Sequence, residues 1–198
     1  PPMRRTLALL LAVSSLHAAE PVPLFIEGYA GQRSVAQGEE IPIHVSTTAA
    51  KFEIEVTRLG AKREVMWKKA DVPGVAHPVP EDASANGCRW PESVRVPVGA
   101  GWKSGFYEIV FRAEDAGGKW THRGKRTATS TAWFIVRQAK PGTTSKILLQ
   151  LCTNTYNAYN NWGGFSVYAY NSLSNNQGHR VSFERPCPPQ FGRWELPF

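Results

Sequence analysis

Between Asn154 and Asn171 the chain gathers four tyrosines, five asparagines and a tryptophan. Tyrosine and asparagine offer directional hydrogen bonds without net charge. Gly163-Gly164 lets a backbone approach a ligand or another strand closely. Such a stretch describes a ligand-binding loop, and it describes equally a polar aromatic loop packed on the rest of the molecule. A second arrangement with chemical potential is Cys152 with His179 later in the chain, a thiol nucleophile and its base. Cys152 as a buried or disulfide-bonded cysteine is the plainer account. The cysteines number three, Cys88, Cys152 and Cys187. An odd count allows at most one internal disulfide, and spacing does not choose among the three pairings. No C-x-x-C pair occurs and the histidines at 17, 44, 77, 122 and 179 stand apart, which argues against a zinc site of the usual spacing.

The elements that must position these residues change character along the chain. Lys146–Leu151 is a continuous apolar run, expected to form a strand buried on both faces. The tyrosine-rich stretch would then lie beyond the carboxyl end of that strand, where open α/β sheets bind ligands. Thr153–Tyr159 is expected to turn into a short helix and Arg180–Phe183 to form a short strand. Phe191, Trp194 and Phe198 recur at helical spacing. Glu195 sits at that helix start, where a surface or capping role is plainer than ligation. Residues 146–198 therefore read as the N-terminal fragment of an α/β domain, too short to close a core alone.

Upstream, Pro21 to Gln138 has period two. Ile41, Ile43 and Val45 alternate with Pro42 and His44, Phe52, Ile54 and Val56 with Glu53, Glu55 and Thr57, and Tyr107, Ile109 and Phe111 with Glu108, Val110 and Arg112. Leu24–Tyr29, Arg63–Trp67, Val94–Val98 and Thr129–Arg137 are further strands, separated by glycine-containing turns. About seven short strands over residues 21–138, with no helical period among them, define a β-sandwich of immunoglobulin-like type. Residues 139–145 form a polar linker containing Pro141 and Gly142. Trp67, Trp90 and Trp102 are candidate platforms for a non-catalytic module that binds carbohydrate or protein, although aromatics more commonly fill cores.

Composition sets the outer limits. Seventeen glycines and fifteen prolines in 198 residues, with 42% apolar side chains, exclude a low-complexity chain and disfavour a helical bundle. Arg4-Arg5, an apolar run from Thr6 to Val13 and Ala18-Ala19 are ordered as in a secretory signal peptide, residues 1–19. The run is too short to span a bilayer, which takes about 20 residues. Export to a periplasm or the extracellular space is therefore expected, with no membrane span once the signal is removed. The formal charge of +7 is scattered, and its densest cluster, Arg123, Lys125 and Arg126, falls in a turn. Basic residues do not interleave with aromatics along one surface, so nucleic acid is not an expected partner.

The run Thr155-Tyr156-Asn157-Ala158-Tyr159-Asn160-Asn161-Trp162-Gly163-Gly164-Phe165-Ser166-Val167-Tyr168 resembles a signature of the N,N-dimethylformamidase family, that of the C-terminal domain of the large (beta) subunit. Arg180–Pro186, Phe191–Glu195, Ile26–Tyr29, Gly38-Glu39, Arg58–Gly60 and Trp102–Tyr107 also resemble it, so the resemblance spans about residues 24–198. It implies an amide hydrolase whose α/β domain is similar to glutamine amidotransferases and holds one iron through tyrosine and glutamate oxygens. Hard oxygen ligands suit a ferric ion, which can polarise an amide carbonyl and acidify water. Tyr159 is the residue the resemblance puts forward as a tyrosinate ligand, with Tyr156, Tyr168 and Tyr170 as competitors. The remaining ligands and the acid-base residues are expected beyond Phe198, and this fragment alone is expected to be inactive and to hold no iron. The expected partner is a small amide substrate, with homo-oligomerisation open.

Overall fold

The computed structural model describes residues 22–115 and 125–188. The signal-like segment 1–19, most of the turn around Arg123 and the Phe191–Phe198 segment with Glu195 lie outside the described residues.

Eight strands follow in order: β1 (Ile26–Ala30), β2 (Ser34–Ala36), β3 (Glu40–Thr47), β4 (Lys51–Leu59), β5 (Arg63–Pro73), β6 (Val94–Pro97), β7 (Gly105–Asp115) and β8 (Arg126–Arg137). They form two sheets, one of order β1-β3-β6 and one of order β2-β8-β7-β4-β5. All pairs are antiparallel except β2 with β8, where Ser34 pairs with Ile135. The alternating residues do what their period demands, one face to the interior and the other to water. Ile41, Ile43 and Val45 from β3 meet Ile54 and Val56 from β4, Ile109 and Phe111 from β7, and Phe134 from β8 in one buried core. Register aligns the large side chains across the sheet: Ile54 opposite Phe111, Val56 opposite Ile109, Tyr107 opposite Phe134. The Tyr107 hydroxyl donates to the Lys103 carbonyl at 2.6 Å, which satisfies the one polar atom its ring carries inward.

The outer edge, β5, is mostly exposed and charged. Lys68 pairs with Glu53 at 3.0 Å and Lys51 with Asp71 at 3.0 Å. A polar edge of this kind resists the addition of further strands. The two-sheet, strand-dominated architecture agrees with the expected β-sandwich. One short helix, α1 (Ala83–Asn86), interrupts it where none was expected, because four residues are too few to display a helical period.

After β8 the expectations divide. α2 (Thr153–Tyr159) forms where a short helix was expected. Lys146–Leu151 does not form a strand: Ile147, Leu148 and Leu149 are 86%, 91% and 66% exposed. A strand exists only where a neighbour completes its hydrogen bonds, and none of the described strands pairs with this run. Arg180–Phe183 is likewise irregular. Its backbone is used in another way, with Ser182 N–H donating to the Ser84 carbonyl at 2.9 Å and the Val181 carbonyl accepting from Asn157.

Residues 153–188 cover one end of the sandwich. Trp162 meets Trp90 edge-on with ring centroids 5.9 Å apart, and its indole N–H donates to Glu27 Oε1 at 3.1 Å. Ser84 Oγ donates to the Gly163 carbonyl at 2.7 Å, and Cys88 N–H to the Glu184 carbonyl at 2.8 Å. Trp162 thereby closes a second small core formed by Tyr29, Ala83, Cys88 and Trp90.

Candidate functional site

The asparagines of the 154–171 stretch are largely committed to building its loop. Asn160 ends α2; its side-chain oxygen accepts from Trp162 N–H at 2.9 Å while its amide donates to the Pro186 carbonyl at 2.9 Å. Asn161 donates to the Asn171 side-chain oxygen at 3.0 Å, and Asn171 donates to the Tyr159 carbonyl at 2.6 Å. Gly163 and Gly164 follow with φ of +80° and +100°, a left-handed pair that reverses the chain at little steric cost to glycine. A Cβ on Gly163 would lie 2.9 Å from Ser84 Oγ, so the turn also needs glycine to sit against α1.

At the centre of the loop stands Arg185, fully buried. Its Nε donates to the Ser182 carbonyl at 3.0 Å, Nη1 to those of Trp162 and Phe165 at 2.7 and 3.0 Å, and Nη2 to that of Asn160 at 2.8 Å. Burial lowers its pKa to about 10, and the four carbonyls hold it in place. Sequence reading gave this residue no role of its own. A single arginine between Glu184 and Pro186 carries no periodic or spacing signal.

This frame presents the tyrosines unequally. Tyr156 turns toward the sandwich and meets Trp133 edge-on, centroids 5.9 Å apart. Tyr159, the last residue of α2, lies nearly parallel to Tyr168 with centroids 4.3 Å apart, and Tyr170 follows at 5.9 Å from Tyr168. Tyr170 is 72% exposed, so the trio faces water. Hydrogen bonding with Tyr159, then the Tyr159 charge, raises the Tyr168 pKa above the usual phenol value. Tyr170 is raised by desolvation first, then by Tyr159. Three phenol oxygens thus share one patch, in which Tyr168 and Tyr170 resist ionisation while a neighbour could carry charge. As a donor set they are hard oxygens, fitted to a hard trivalent cation that would reverse that preference. Among the described residues no group of three or more His, Cys, Asp or Glu is placed to hold a metal.

The alternative site residues fare differently. Cys152 is exposed just before α2, and no hydrogen bond or ring contact joins it to His179 among the described residues. Cys88, Cys152 and Cys187 are all free thiols, so no disulfide forms. Trp90 and Trp102 are buried, which removes both as open stacking platforms, while Trp67 on the edge strand is partly buried against the core.

The fold and the loop together define a two-sheet β protein capped by a tyrosine- and asparagine-rich segment. The chain belongs to the family described as N,N-dimethylformamidase beta subunit-like, C-terminal, whose model matches residues 53–198. No curated protein matches the chain. Among solved structures, Spo0M, a sporulation control protein from Bacillus subtilis, is similar over 60% of this chain at 12% identity and a TM-score of 0.38. This chain spans half the length of that protein, and a likeness at that score bears on nothing further.

Proposed function

We propose that this chain is part of a metal-dependent amide hydrolase similar to N,N-dimethylformamidase, acting on the C–N bond of a small amide. The observation that carries the reading is the convergence of Tyr159, Tyr168 and Tyr170 at the end of α2, within the segment that the family model covers. Tyr159 would supply a phenolate to iron, with Tyr168 and Tyr170 beside it as neutral phenols able to hydrogen-bond. Bound there, a ferric ion would supply Lewis acidity toward an amide carbonyl. Arg185 and the asparagines fix the loop so that Tyr159 need not reorganise when it ionises. In the same reading the sandwich is immunoglobulin-like. The apolar run Lys146–Leu151 opens an amidotransferase-like α/β domain, in which it would gain the neighbouring strand it lacks among the described residues.

Tyr159→Phe tests the assignment, because it keeps the ring and its stacking and removes only the donor oxygen. In protein purified from the native host, the variant is expected to lose bound iron, any visible phenolate-to-iron absorbance and at least tenfold in hydrolysis of a small amide. Unchanged iron and colour would remove Tyr159 from the ligand set. Iron-free protein that still hydrolyses the amide would remove the metal from the mechanism.

Export belongs to the same proposal and rests on the order of Arg4-Arg5, apolar run and Ala18-Ala19. Mass spectrometry of the mature chain is expected to show cleavage after Ala18 or Ala19. An intact N-terminus in the cytoplasm would overturn it.

A further inference from the structure

Basic residues that are scattered along the sequence are regrouped by the sandwich. β4 ends at Leu59 opposite Arg63 and Phe106, β7 begins at Gly105 opposite Val136, and β2 ends at Ala36 opposite Arg137. β3 begins at Glu40 opposite Pro97. Register therefore brings the β4–β5 turn, the β6–β7 loop, the β2–β3 turn and the chain leaving β8 to one pole. Hydrogen bonds tie them into a single rim. Gly38 N–H donates to the Val98 carbonyl at 2.8 Å, Gln37 Nε2 to the Trp102 carbonyl, and Ala139 N–H to Gln37 Oε1 at 3.4 Å. Arg58, near the end of β4, donates from Nη2 to the Ser104 carbonyl at 3.5 Å. Lys62, Lys103 and Lys140 stand exposed on this rim. The rim's acids are already engaged, Glu64 with Arg58 at 3.8 Å, Glu39 with Arg137 at 3.6 Å and Glu40 with Arg95 at 3.8 Å. None of the three lysines has an acid within ion-pair distance among the described residues. At the opposite pole Lys51 is matched by Asp71, Lys125 by Glu114 and Arg126 by Asp115. The described charges of the sandwich thus give a field that points out of one end.

We propose that this pole docks on an anionic lipid surface, resting on the headgroups without entering the bilayer. Its loops carry Gly38, Gly60-Ala61 and Gly99-Ala100-Gly101, so little bulk stands between the lysines and a surface they approach. No large apolar side chain projects from them to insert. Trp102, the one aromatic residue in these loops, is buried, which leaves no ring on which a base or sugar could stack. Lysines on three separate loops meet a plane at several points at once, whereas a single polyanionic strand would follow only a line. Each lysine held near an anionic lipid surface contributes about fivefold in binding, and three together about 100-fold. The attraction reaches about 10 Å at 0.1 M salt and shortens as salt is added. The inference is independent of the amide-hydrolase reading.

The test sediments the protein, expressed in and purified from the native host, with sucrose-loaded vesicles. These are made of phosphatidylcholine alone, or of equimolar phosphatidylcholine and phosphatidylglycerol. Binding is expected to the mixed vesicles only, and to weaken at least tenfold between about 0.05 M and about 0.5 M salt. Lys62→Gln/Lys103→Gln should lose at least about tenfold in binding. Lys69→Gln/Arg180→Gln removes the same charge from the β5 edge and the cap, and should lose less than about threefold. All four side chains are exposed, so both doubles should melt at the midpoint of the unaltered protein. Equal losses in the two doubles would show that net charge, and not the pole, is read, and would overturn the proposal. So would equal binding to both kinds of vesicle. Retention on dextran sulfate with no binding to either vesicle would make the partner a soluble polyanion and overturn it as well.

Discussion

Cys88 and Arg185 show how little of a residue's role its letter discloses. Cys88 is 2% exposed beneath Trp162, beside Tyr29 and Trp90, and burial, aided by the charge of Glu27, pushes its thiol up to about 12. In the unfolded chain the same thiol titrates near its ordinary value of 9.0. An acid whose pKa is raised by folding keeps its proton in the native state while the unfolded state releases it. The stability it contributes is complete below the unfolded value and drains away as pH climbs toward the folded one. Replacing Cys88 by alanine removes that dependence. The stability difference between the two chains, read from urea midpoints, should narrow by about 1–2 kcal/mol between about pH 8.5 and about pH 10.5. A constant difference would show that the thiol ionises freely in the folded protein. In the native chain, thiol reagents should modify Cys152 first, Cys187 more slowly and Cys88 only on unfolding. Sequence allowed a disulfide among these three; burial of one beneath the cap and exposure of another kept them apart. Tyr159 was put forward by the family resemblance alone, because residue type and spacing do not choose among Tyr156, Tyr159, Tyr168 and Tyr170. Its neighbours Tyr168 and Tyr170 were legible only as competitors, since their grouping depends on a chain reversal at Gly163-Gly164.

At the scale of elements, alternation carried the information wherever a strand had one wet face. β3, β4, β7 and β8 fall where alternating or apolar segments placed them, because burial on one face imposes period two. β2 has three residues and α1 four, lengths over which no period can be seen. Lys146–Leu151 marks the opposite failure. A continuous apolar run states a demand for burial and says nothing of the neighbour that must meet it. Packing between the sheets depends on residues that pattern does not reveal, and Gly28 in β1 is the clearest. A Cβ there would lie 2.7 Å from the Phe111 ring and 2.9 Å from the His44 carbonyl, so glycine lets β1 approach the facing sheet. Gly28→Ala forces those atoms apart and should cost about 1–3 kcal/mol. Gly38 supplies the contrast: its Cβ would meet nothing within 4 Å, and only its φ of +86° opposes substitution. Gly38→Ala should cost about 1 kcal/mol. Urea denaturation compares them, and equal midpoints would mean that β1 moves to absorb the methyl group.

Over the whole molecule, the expected boundary at residues 139–145 has to be weighed against what crosses it. The larger core is made entirely by residues before it, from Ile26 to Val136. The smaller core is not, since Tyr29, Ala83, Cys88 and Trp90 are covered by Trp162 from the cap. The cap leans on the sandwich in turn, through Glu27, Ser84 and Cys88, and its own interior is organised by one arginine and backbone carbonyls. Dependence is therefore lopsided: the sandwich is expected to fold without the cap, whereas the cap has little apolar area with which to fold alone. Residues 22–138 expressed by themselves should give a β-type circular dichroism spectrum and one cooperative melt, at a lower midpoint than the whole chain. Trp90 fluorescence should shift to the red as its edge contact with Trp162 is lost. Trp162→Ala in the whole chain separates the contributions. If contact with Trp162 is what couples the two parts, that variant should approach the midpoint of the isolated sandwich while its larger core stays intact, as read by slow exchange of β4 and β7 amides. A midpoint equal to that of the unaltered chain would assign the coupling to the backbone bonds at Ser84 and Cys88. An isolated 22–138 segment without a cooperative melt would show that the cap is part of the folding unit, and the boundary would move past Cys187.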